Sequence, residues 1–392
     1  MPPYFDYAAT TPTHPDANRA MRPFFEECYA NPSSVYAPAR TARKAIDESR
    51  RSIATALHAN PDEIYFTGSG TEADNWAIKG VLEANANKGK HILITSIEHY
   101  AVLFTCKHLE KLGYEVTCLP VDNEGFISPQ AVADAIRPDT VLASIIYANN
   151  EIGVIQPLAE LSKITRKAGV ILHTDAVQAV GHIPVDVNEL GIDILSLSAH
   201  KFYGPKGIGA QYIRKGTKIF PFLYGGAQER GYRAGTENIA GIVGMAAALT
   251  ASINEMPEIA NQTLTLRDKL ANNILTAIPY TQLNGPRTNR LPGNLNMSFS
   301  FIEGEALLYR LDIVHNCQAS TGSACSSGAL EPSHVLTAIG LSHELANGTL
   351  RFSLGRDTTS SDIDKLTEAL IESVAWLRDM SPLYDDFKKK GV

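Results

Sequence analysis

Short apolar runs alternate with amphipathic stretches over the first half of this chain. Mostly apolar runs bounded by glycine, proline or polar turns predict buried strands. They cover residues 63–67, 91–95, 115–120, 141–147, 170–174 and 192–197. Helical patterns between them are predicted to begin at Glu72, Tyr100, Pro129 and Pro157, after a first amphipathic helix over 39–57. This alternation predicts an α/β fold whose mostly parallel sheet is covered by helices on both faces.

The second half of the chain has a different pattern. A run of small residues over 241–254 predicts a helix, and an apolar periodic run over 264–278 predicts a long connecting helix. Further elements are predicted as strands over 294–301 and 350–354 and as helices over 303–311 and 361–377. A chain of 392 residues exceeds the length at which a single core usually keeps growing. We therefore expect a large domain followed by a smaller α+β domain.

Charge and cysteine content narrow the class of protein. A net charge of −7 disfavours a general nucleic-acid surface. The five cysteines are odd in number and form no C-x-x-C pair, which indicates neither a disulfide framework nor a zinc site. Free thiols fit a reducing compartment. No leader-like segment opens the sequence, and no apolar run approaches the ~20 residues of a membrane span. We expect a cytoplasmic protein that binds neither membrane nor nucleic acid.

Lys201 follows a predicted strand and precedes a turn that contains Gly204 and Pro205. A lone lysine in such a loop is usually a solvated cation. Here Ser198 and His200 flank it, and glycines crowd the turn. A lysine taken out of water can form a Schiff base with an aldehyde such as pyridoxal phosphate. This second interpretation requires a carboxylate, a phosphate site and a ring-stacking group elsewhere in the chain.

The chain offers a candidate for each requirement. Asp175 ends a predicted strand and could face the ring nitrogen of the cofactor, although it could equally cap the segment that follows. Residues 65–77 run from a strand through small residues into a helix, whose first N–H groups suit an anion. His99 also follows a strand. It could stack on the cofactor ring, or it could be a structural histidine whose hydrogen bonds are satisfied. With Asn150 and Lys201, these candidates fall at strand ends, where α/β sheets bind ligands.

Cys325 lies in a segment of unusual composition. Of the nine residues over 320–328, eight are small and cannot ionise. A free cysteine is usually a small buried hydrophobe, and we expect that of Cys28, Cys106, Cys118 and Cys317. The surroundings of Cys325 oppose burial and predict a mobile loop. Its thiol is therefore the candidate to visit a cofactor and to carry a group away.

Ten motifs together resemble one known family. The chain is similar to the cysteine desulfurases of the NifS and IscS type, which belong to the class V, fold-type I group of pyridoxal phosphate enzymes. The motifs are DYAATTP (6–12), NPSS (31–34), GSGTEADN (68–75), EHYAVL (98–103), NNEIGVIQP (149–157), HTDAVQ (173–178), SAHKFYGPKG (198–207), GGAQERGYRAGTEN (225–238), TGSACSSGALEPSHVL (321–336) and RFSLGR (351–356).

This resemblance implies a fold, a reaction and partners. It implies the aminotransferase fold, with a large cofactor-binding domain over 15–260 and a small domain made of 1–14 and 261–392. The implied reaction converts L-cysteine to L-alanine and leaves a persulfide on Cys325, which could pass sulfur to an acceptor such as an iron–sulfur scaffold. No resident metal is expected, although the Cys325 persulfide could transiently ligate a cluster. A homodimer with shared active sites is also implied.

The resemblance also implies a role for each candidate residue. Lys201 would hold the cofactor and move the substrate α-proton, and His99 would stack on the ring and handle protons. Arg351 would bind the substrate carboxylate with Asn150, although by itself it reads equally well as a surface charge. The remaining cofactor contacts are Gly70, Thr71, Ser198 and His200 at the phosphate, Asn150 and Gln178 at the ring hydroxyl, Asp175 at the ring nitrogen, and Thr236 at the phosphate of the neighbouring subunit.

Two other functions remain open from the sequence. A selenocysteine lyase or another class V lyase would use the same cofactor residues without a persulfide on Cys325. A non-catalytic partner in sulfur transfer would be free to lose Lys201, Asp175 or His99, and all three are present. The chain also lacks the longer polar and aromatic tail of family members dedicated to a scaffold. The segment over 235–238 resembles the nitrogen-fixation-type members slightly more than the housekeeping members.

Overall fold

A seven-stranded sheet forms the centre of the protein in the computed structural model, which describes residues 2–322 and 332–389. The strands are β1 (Ile64–Thr67), β2 (His91–Thr95), β3 (Glu115–Leu119), β4 (Thr140–Ser144), β5 (Ile171–Asp175), β6 (Ile194–Ser198) and β7 (Gly209–Ile213). Their order is β1-β7-β6-β5-β4-β2-β3. All neighbours from β3 to β6 pair in parallel, and β7 is antiparallel to both β6 and β1. The predicted mostly parallel α/β sheet is confirmed, and β7 was missed.

Helices cover both faces of this sheet. The helices of the described residues, including those that pack against the second sheet, are α1 (Pro15–Met21), α2 (Pro23–Glu26), α3 (Ala37–Ala56), α4 (Gly70–Ala84), α5 (Tyr100–Glu110), α6 (Pro129–Ala135), α7 (Leu158–Lys167), α8 (Val187–Leu190), α9 (Ile239–Ala277), α10 (Gly304–His315), α11 (His334–Ala338), α12 (His343–Asn347), α13 (Ser360–Asp379) and α14 (Pro382–Lys389). Side chains alternate along the strands between two buried clusters. Leu93 of β2 packs in one, whereas Ile92 and Ile94 pack in the other.

A second, antiparallel sheet lies in the last third of the chain. Its strands are β8 (Thr281–Leu283), β9 (Asn294–Phe299) and β10 (Thr349–Ser353), in the order β10-β9-β8. A separate hydrophobic cluster joins these strands to α10, α13 and the end of α9, and it includes Phe5 from the N-terminus. The predicted strands and helices of this region are present, with ends shifted by up to four residues. The separate cluster supports the domain boundaries at 14/15 and 260/261, which stay a prediction.

One long helix connects the two sheets. The sequence predicts separate helical runs over 241–254 and 264–278, but α9 continues through Pro257 as 39 residues. Helices α1 and α3 pack on α9 from the large sheet, and α13 packs on it from the small one. This packing holds the helix together although Pro257 removes one backbone donor. The most apolar stretch of α9 is 67% buried, as in the core helix of a folded protein.

Candidate active site

A cavity of about 340 Å³ opens at the carboxyl ends of the parallel strands. Its size is within the range of small-molecule sites. The N-terminal segment, the start of α4 and the β10 strand close it from the sides. The predicted site residues that line it are Gly70, Thr71, His99, Asn150, Asp175, Gln178, Ser198, His200, Lys201 and Arg351. Cys325 lies outside the described residues, and Thr236 lies in a different cleft.

Lys201 ends a 3₁₀ turn, Ala199–Lys201, that directly follows β6. Its side chain is half-buried, and Nζ donates to the carbonyl oxygens of Ala8 at 2.6 Å and Ala9 at 2.8 Å. The interpretation of a freely solvated cation is therefore wrong. The amine points into the cavity wall formed by the N-terminal segment, within the same cavity as Asp175 and His99.

Asp175 is the last residue of β5 and is buried. Its Oδ1 accepts a hydrogen bond from the backbone N–H of Val177 at 2.9 Å, so the carboxylate also orders the turn that follows. Burial raises the pKa of Asp175, and the neighbouring His99 and Lys201 oppose that shift. A cation placed against this carboxyl would be stabilised, as a protonated ring nitrogen requires.

His99 has the structural role that one interpretation expects, and its ring also lines the cavity, which is compatible with the stacking role. It is the N-cap of α5, and its Nδ1 accepts a hydrogen bond from the backbone N–H of Ala101 at 3.2 Å. Burial lowers the pKa of His99; Asp175 opposes this shift, and Lys201 and His334 add to it. A neutral ring that accepts at Nδ1 carries its proton on Nε2. His99 is thus a structural cap with Nε2–H left for the cavity that the ring lines.

The start of α4 has features that suit an anion. Ser69 caps the helix through its hydroxyl, which accepts from the N–H of Glu72 at 3.1 Å. A side chain on Gly70 would place Cβ 2.7 Å from Val177 and 3.3 Å from Ser198. Glycine therefore lets the helix start pack closely against these two side chains, and the helix N-terminus lines the cavity together with Thr71. The residues present fit the phosphate group of the cofactor.

The N-terminal segment holds several of these side chains in place. The Ala8 carbonyl accepts from Nε2 of Gln178 at 2.9 Å as well as from Lys201. The Thr10 hydroxyl lies 3.2 Å from Nδ1 of His200. Burial, with smaller contributions from Lys201 and Lys206, lowers the pKa of His200 to about 4, so its ring is neutral near pH 7. Residues 8–10 thus contact Lys201, Gln178 and His200, which the resemblance assigned to the lysine, ring-hydroxyl and phosphate positions.

Arg351 comes from β10 and is 2% exposed. Its Nη2 donates to Asp6 at 2.7 Å, and Nη1 donates to the carbonyl oxygens of Asn150 at 3.1 Å and Gly322 at 3.3 Å. The alternative of a surface charge is therefore wrong. A buried guanidinium at the rim of the cavity suits a carboxylate ligand.

Asp74 was missed by the sequence reasoning. It is 1% exposed, lines the cavity, and brings a carboxyl oxygen within 4.8 Å of ligand atoms of His99 and Asp175. Burial and then the charge of Asp175 raise the pKa of Asp74 well above its ordinary value. Two buried carboxyls this close disfavour a second negative charge, which favours the protonated form of Asp74. Asp74 follows Gly70 by four residues, so both lie on one face of α4. This spacing could have indicated from the sequence that Asp74 faces the cavity.

Glu98 and His173 are two more buried groups. Both lie in sequence motifs of the resemblance, which assigned no role to either. Glu98 lines the cavity, and its Oε1 accepts from the Thr95 hydroxyl at 2.6 Å and from the N–H of Ile146 at 2.9 Å. Burial raises the pKa of Glu98 to about 8. His173 lies 3.6 Å from Asp74, and burial lowers its pKa to about 3. Both side chains are therefore neutral near pH 7 and support the floor of the cavity by hydrogen bonds.

The described cysteines differ in exposure. Cys106 and Cys317 are buried, as expected, but Cys28 is only half-buried and Cys118 is exposed. The expectation that Cys118 is buried was wrong. It is exposed because β3 is an edge strand with a solvent-facing side. Burial raises the thiol pKa of Cys106 to about 12 and also raises that of Cys118 and Cys317. None of these three thiols lines the cavity or is activated as a nucleophile.

Comparisons with known proteins assign the family. A family model described as aminotransferase class-V matches residues 3–366. The chain belongs to this family. Cysteine desulfurase IscS from Dictyoglomus turgidum is 53% identical over 385 residues, which cover 98% of each chain. A solved structure described as a NifS-like protein has a TM-score of 0.91 at 36% identity, covering 96% of this chain and 100% of that one. The resemblance drawn from the ten motifs is confirmed.

A further structural relative has a ligand in its description. It is named SspA in complex with cysteine. The TM-score is 0.81 at 38% identity, and the match covers 90% of this chain and 99% of that one. The class-V family is one of pyridoxal phosphate enzymes, so the cofactor expected from Lys201 and Asp175 agrees with the family. The roles of the individual residues are proposals that their geometry supports.

Proposed function

We infer that this protein is a pyridoxal phosphate-dependent cysteine desulfurase, which converts L-cysteine to L-alanine and transfers the sulfur to Cys325. One observation carries this inference. The Lys201 amine, the Asp175 carboxyl, the His99 ring and the Arg351 guanidinium line a single cavity, and they come from four separate parts of the chain. The 53% identity to a cysteine desulfurase over the full length supports the same reaction.

The cavity has a group for each part of the cofactor. Lys201 would hold its aldehyde carbon, Asp175 its ring nitrogen, and His99 one face of its ring. Gly70, Thr71, Ser198 and His200, which line the cavity, would surround its phosphate, and Asn150 and Gln178 would contact its ring hydroxyl. When bound, the cofactor supplies an electron sink that makes the substrate α-proton removable. A solution of the purified protein should therefore be yellow, and Lys201→Ala should abolish covalent retention of the cofactor.

The remaining steps belong to residues of the chain. Arg351 binds the substrate carboxylate, and the Lys201 amine takes the α-proton and returns a proton to the α-carbon when alanine is formed. Nε2 of His99 exchanges a proton with the substrate thiol. The Cys325 thiolate attacks the substrate sulfur, so that an S–S bond forms while the C–S bond breaks. The electron pair of that bond stays on carbon, which takes up a proton to become the methyl group of alanine. One L-cysteine and one enzyme thiol thus yield one L-alanine and one persulfide, without an external oxidant.

Three more proposals concern the oligomeric state, the sulfur acceptor and the location of the protein. We propose a homodimer in which Thr236 reaches the phosphate position of the other subunit. Thr236 is exposed and lies beside Arg233 and Gly68, outside the cavity of its own chain, which supports this placement. We propose an iron–sulfur scaffold as sulfur acceptor, because the full-length relatives are named IscS. The four described cysteines are free thiols, which supports a cytoplasmic location.

The test separates a desulfurase from a lyase of the same family. Protein treated with L-cysteine is analysed by mass spectrometry for a persulfide on Cys325, and the alanine released in solution is quantified. For a desulfurase, Cys325→Ala should eliminate alanine production from L-cysteine while the cofactor remains bound. If Cys325→Ala instead releases alanine at the wild-type rate, the protein is a lyase that acts without a persulfide.

A further inference from the structure

The contacts of Arg351 leave one edge of its guanidinium available. Arginine has five N–H donors. The two N–H groups of Nη1 donate to the carbonyl oxygens of Asn150 and Gly322, and one N–H group of Nη2 donates to Asp6. Nε is buried and has no hydrogen-bond partner within residues 2–322 and 332–389. Within the described residues, the donors without a partner are therefore Nε–H and one hydrogen of Nη2. Nε and Nη2 are the two nitrogens of one guanidinium edge, and such an edge can bind a carboxylate through two hydrogen bonds.

Asp6 reaches this position because the N-terminal segment forms an isolated bridge to β10 of the small sheet. The Ser353 N–H donates to the carbonyl of Phe5 at 2.8 Å, and Asp6 forms a parallel bridge with Ser353, two residues beyond Arg351. The Tyr4 hydroxyl donates to the backbone carbonyl of Asp6 at 3.0 Å and fixes the turn. The Asp6 and Arg351 side chains are 18% and 3% exposed, so the ion pair between them is mostly shielded from water.

This ion pair has two physical consequences for Arg351. A charge-assisted hydrogen bond of 2.7 Å restricts the guanidinium, which would otherwise rotate about the bonds of a long side chain. It also compensates a buried positive charge before any substrate arrives. Removal of Asp6 would leave the two carbonyl oxygens at Nη1 as the described contacts, and these are longer and carry no charge.

We propose that Asp6 is a positioning residue that presents the Nε and Nη2 edge of Arg351 to the single carboxylate of an amino-acid substrate. Asp6 acts through Arg351 and does not contact the substrate. This inference rests on the proposed function, because that function makes the ligand an α-amino acid. It goes beyond that function by assigning a specificity role to the N-terminal segment. The expected signature is a loss of affinity confined to ligands that carry a carboxylate.

The experiment uses the holoenzyme and two ligands. L-Alanine carries the amine and the carboxylate, whereas cysteamine carries the amine and the thiol without a carboxylate. Their dissociation constants are measured from the change in cofactor absorption for wild type, Asp6→Ala and Asp6→Asn. We expect Asp6→Ala to weaken L-alanine binding about tenfold and to change cysteamine binding less than about twofold. Asp6→Asn keeps an acceptor without the charge and should fall in between.

Two controls make the result specific. Asp16→Ala removes an exposed acidic group that pairs with Arg19 on α1, and it should leave both dissociation constants unchanged. In an Arg351→Ala background, Asp6→Ala should have no further effect on L-alanine binding. Equal weakening of both ligands, or unchanged L-alanine binding in both Asp6 variants, would overturn the proposal. If wild type itself releases no alanine from L-cysteine, the proposed function fails instead, and the two failures are distinguished.

Discussion

The Lys201 amine lies 2.6 Å from the carbonyl oxygen of Ala8, a residue 193 positions earlier in the chain. The contact joins the end of the strand β6 to the N-terminal segment, which also carries Asp6. One short segment therefore touches both the group proposed to hold the cofactor and, through Asp6, the group proposed to hold the substrate carboxylate. The N-terminal segment is therefore a part of the site.

Replacing Lys201 tests the proposed cofactor linkage. Lys201→Ala should lower alanine release from L-cysteine by at least about a thousandfold, because both the covalent attachment and the proton acceptor are lost. Denaturation of wild type in the presence of borohydride should leave the cofactor attached to a peptide that contains Lys201. Lys206→Ala removes an exposed lysine of the same loop and should retain activity. Full activity of Lys201→Ala would contradict the assignment.

Replacing Asp175 tests the electrostatics of the ring position. Asp175→Asn keeps the acceptor for the Val177 N–H but removes the negative charge. We expect kcat to fall by about a hundredfold or more, because an unprotonated ring is a poor electron sink. The cofactor should still bind, with an altered absorption spectrum that reports the loss of ring protonation. An unchanged spectrum and kcat would show that Asp175 only orders the turn.

Glu98 should make stability depend on pH near neutrality. Its folded pKa is raised to about 8, whereas the unfolded value is ordinary, so the folded state holds a proton that the unfolded state releases. The contribution of Glu98 to stability is therefore greatest at low pH and is lost as the pH rises toward 8. From pH 6.5 to 8, the free energy of unfolding should fall by about 1.5 kcal/mol more in wild type than in Glu98→Gln. Denaturant titrations at both pH values measure this, and parallel pH dependence would refute it.

The close packing at Gly70 predicts a pair of variants. Gly70→Ala puts Cβ 2.7 Å from Cγ2 of Val177, which should cost about 1–3 kcal/mol of stability and weaken cofactor binding. Val177→Ala removes the contacting methyl group, so the double variant should recover most of the affinity for the cofactor. Calorimetric titration of apoprotein with pyridoxal phosphate measures both effects. Equal affinity of Gly70→Ala and wild type would show that the helix start is not the phosphate site.

The main sheet and the common position of His99, Asn150, Asp175 and Lys201 could be predicted because strand ends in a parallel sheet converge on one edge. The other predicted cavity residues came from the resemblance to the family. The β7 strand was missed because it is a short run after the Lys201 turn, and only its pairing between β6 and β1 makes it a strand. The continuity of α9 was missed because Pro257 breaks the local pattern, whereas packing on both halves preserves the helix. The roles of Asp6 and Asp74 depend on long-range contacts, which periodicity along the chain does not encode.

The most direct test of the account is the fate of the substrate sulfur. Protein treated with one equivalent of L-cysteine is digested and analysed by mass spectrometry, and free alanine is quantified in the same sample. The account predicts one additional sulfur atom on the peptide that contains Cys325 and an equal amount of L-alanine. Alanine without that adduct, or an adduct confined to Cys28 or Cys118, would contradict it.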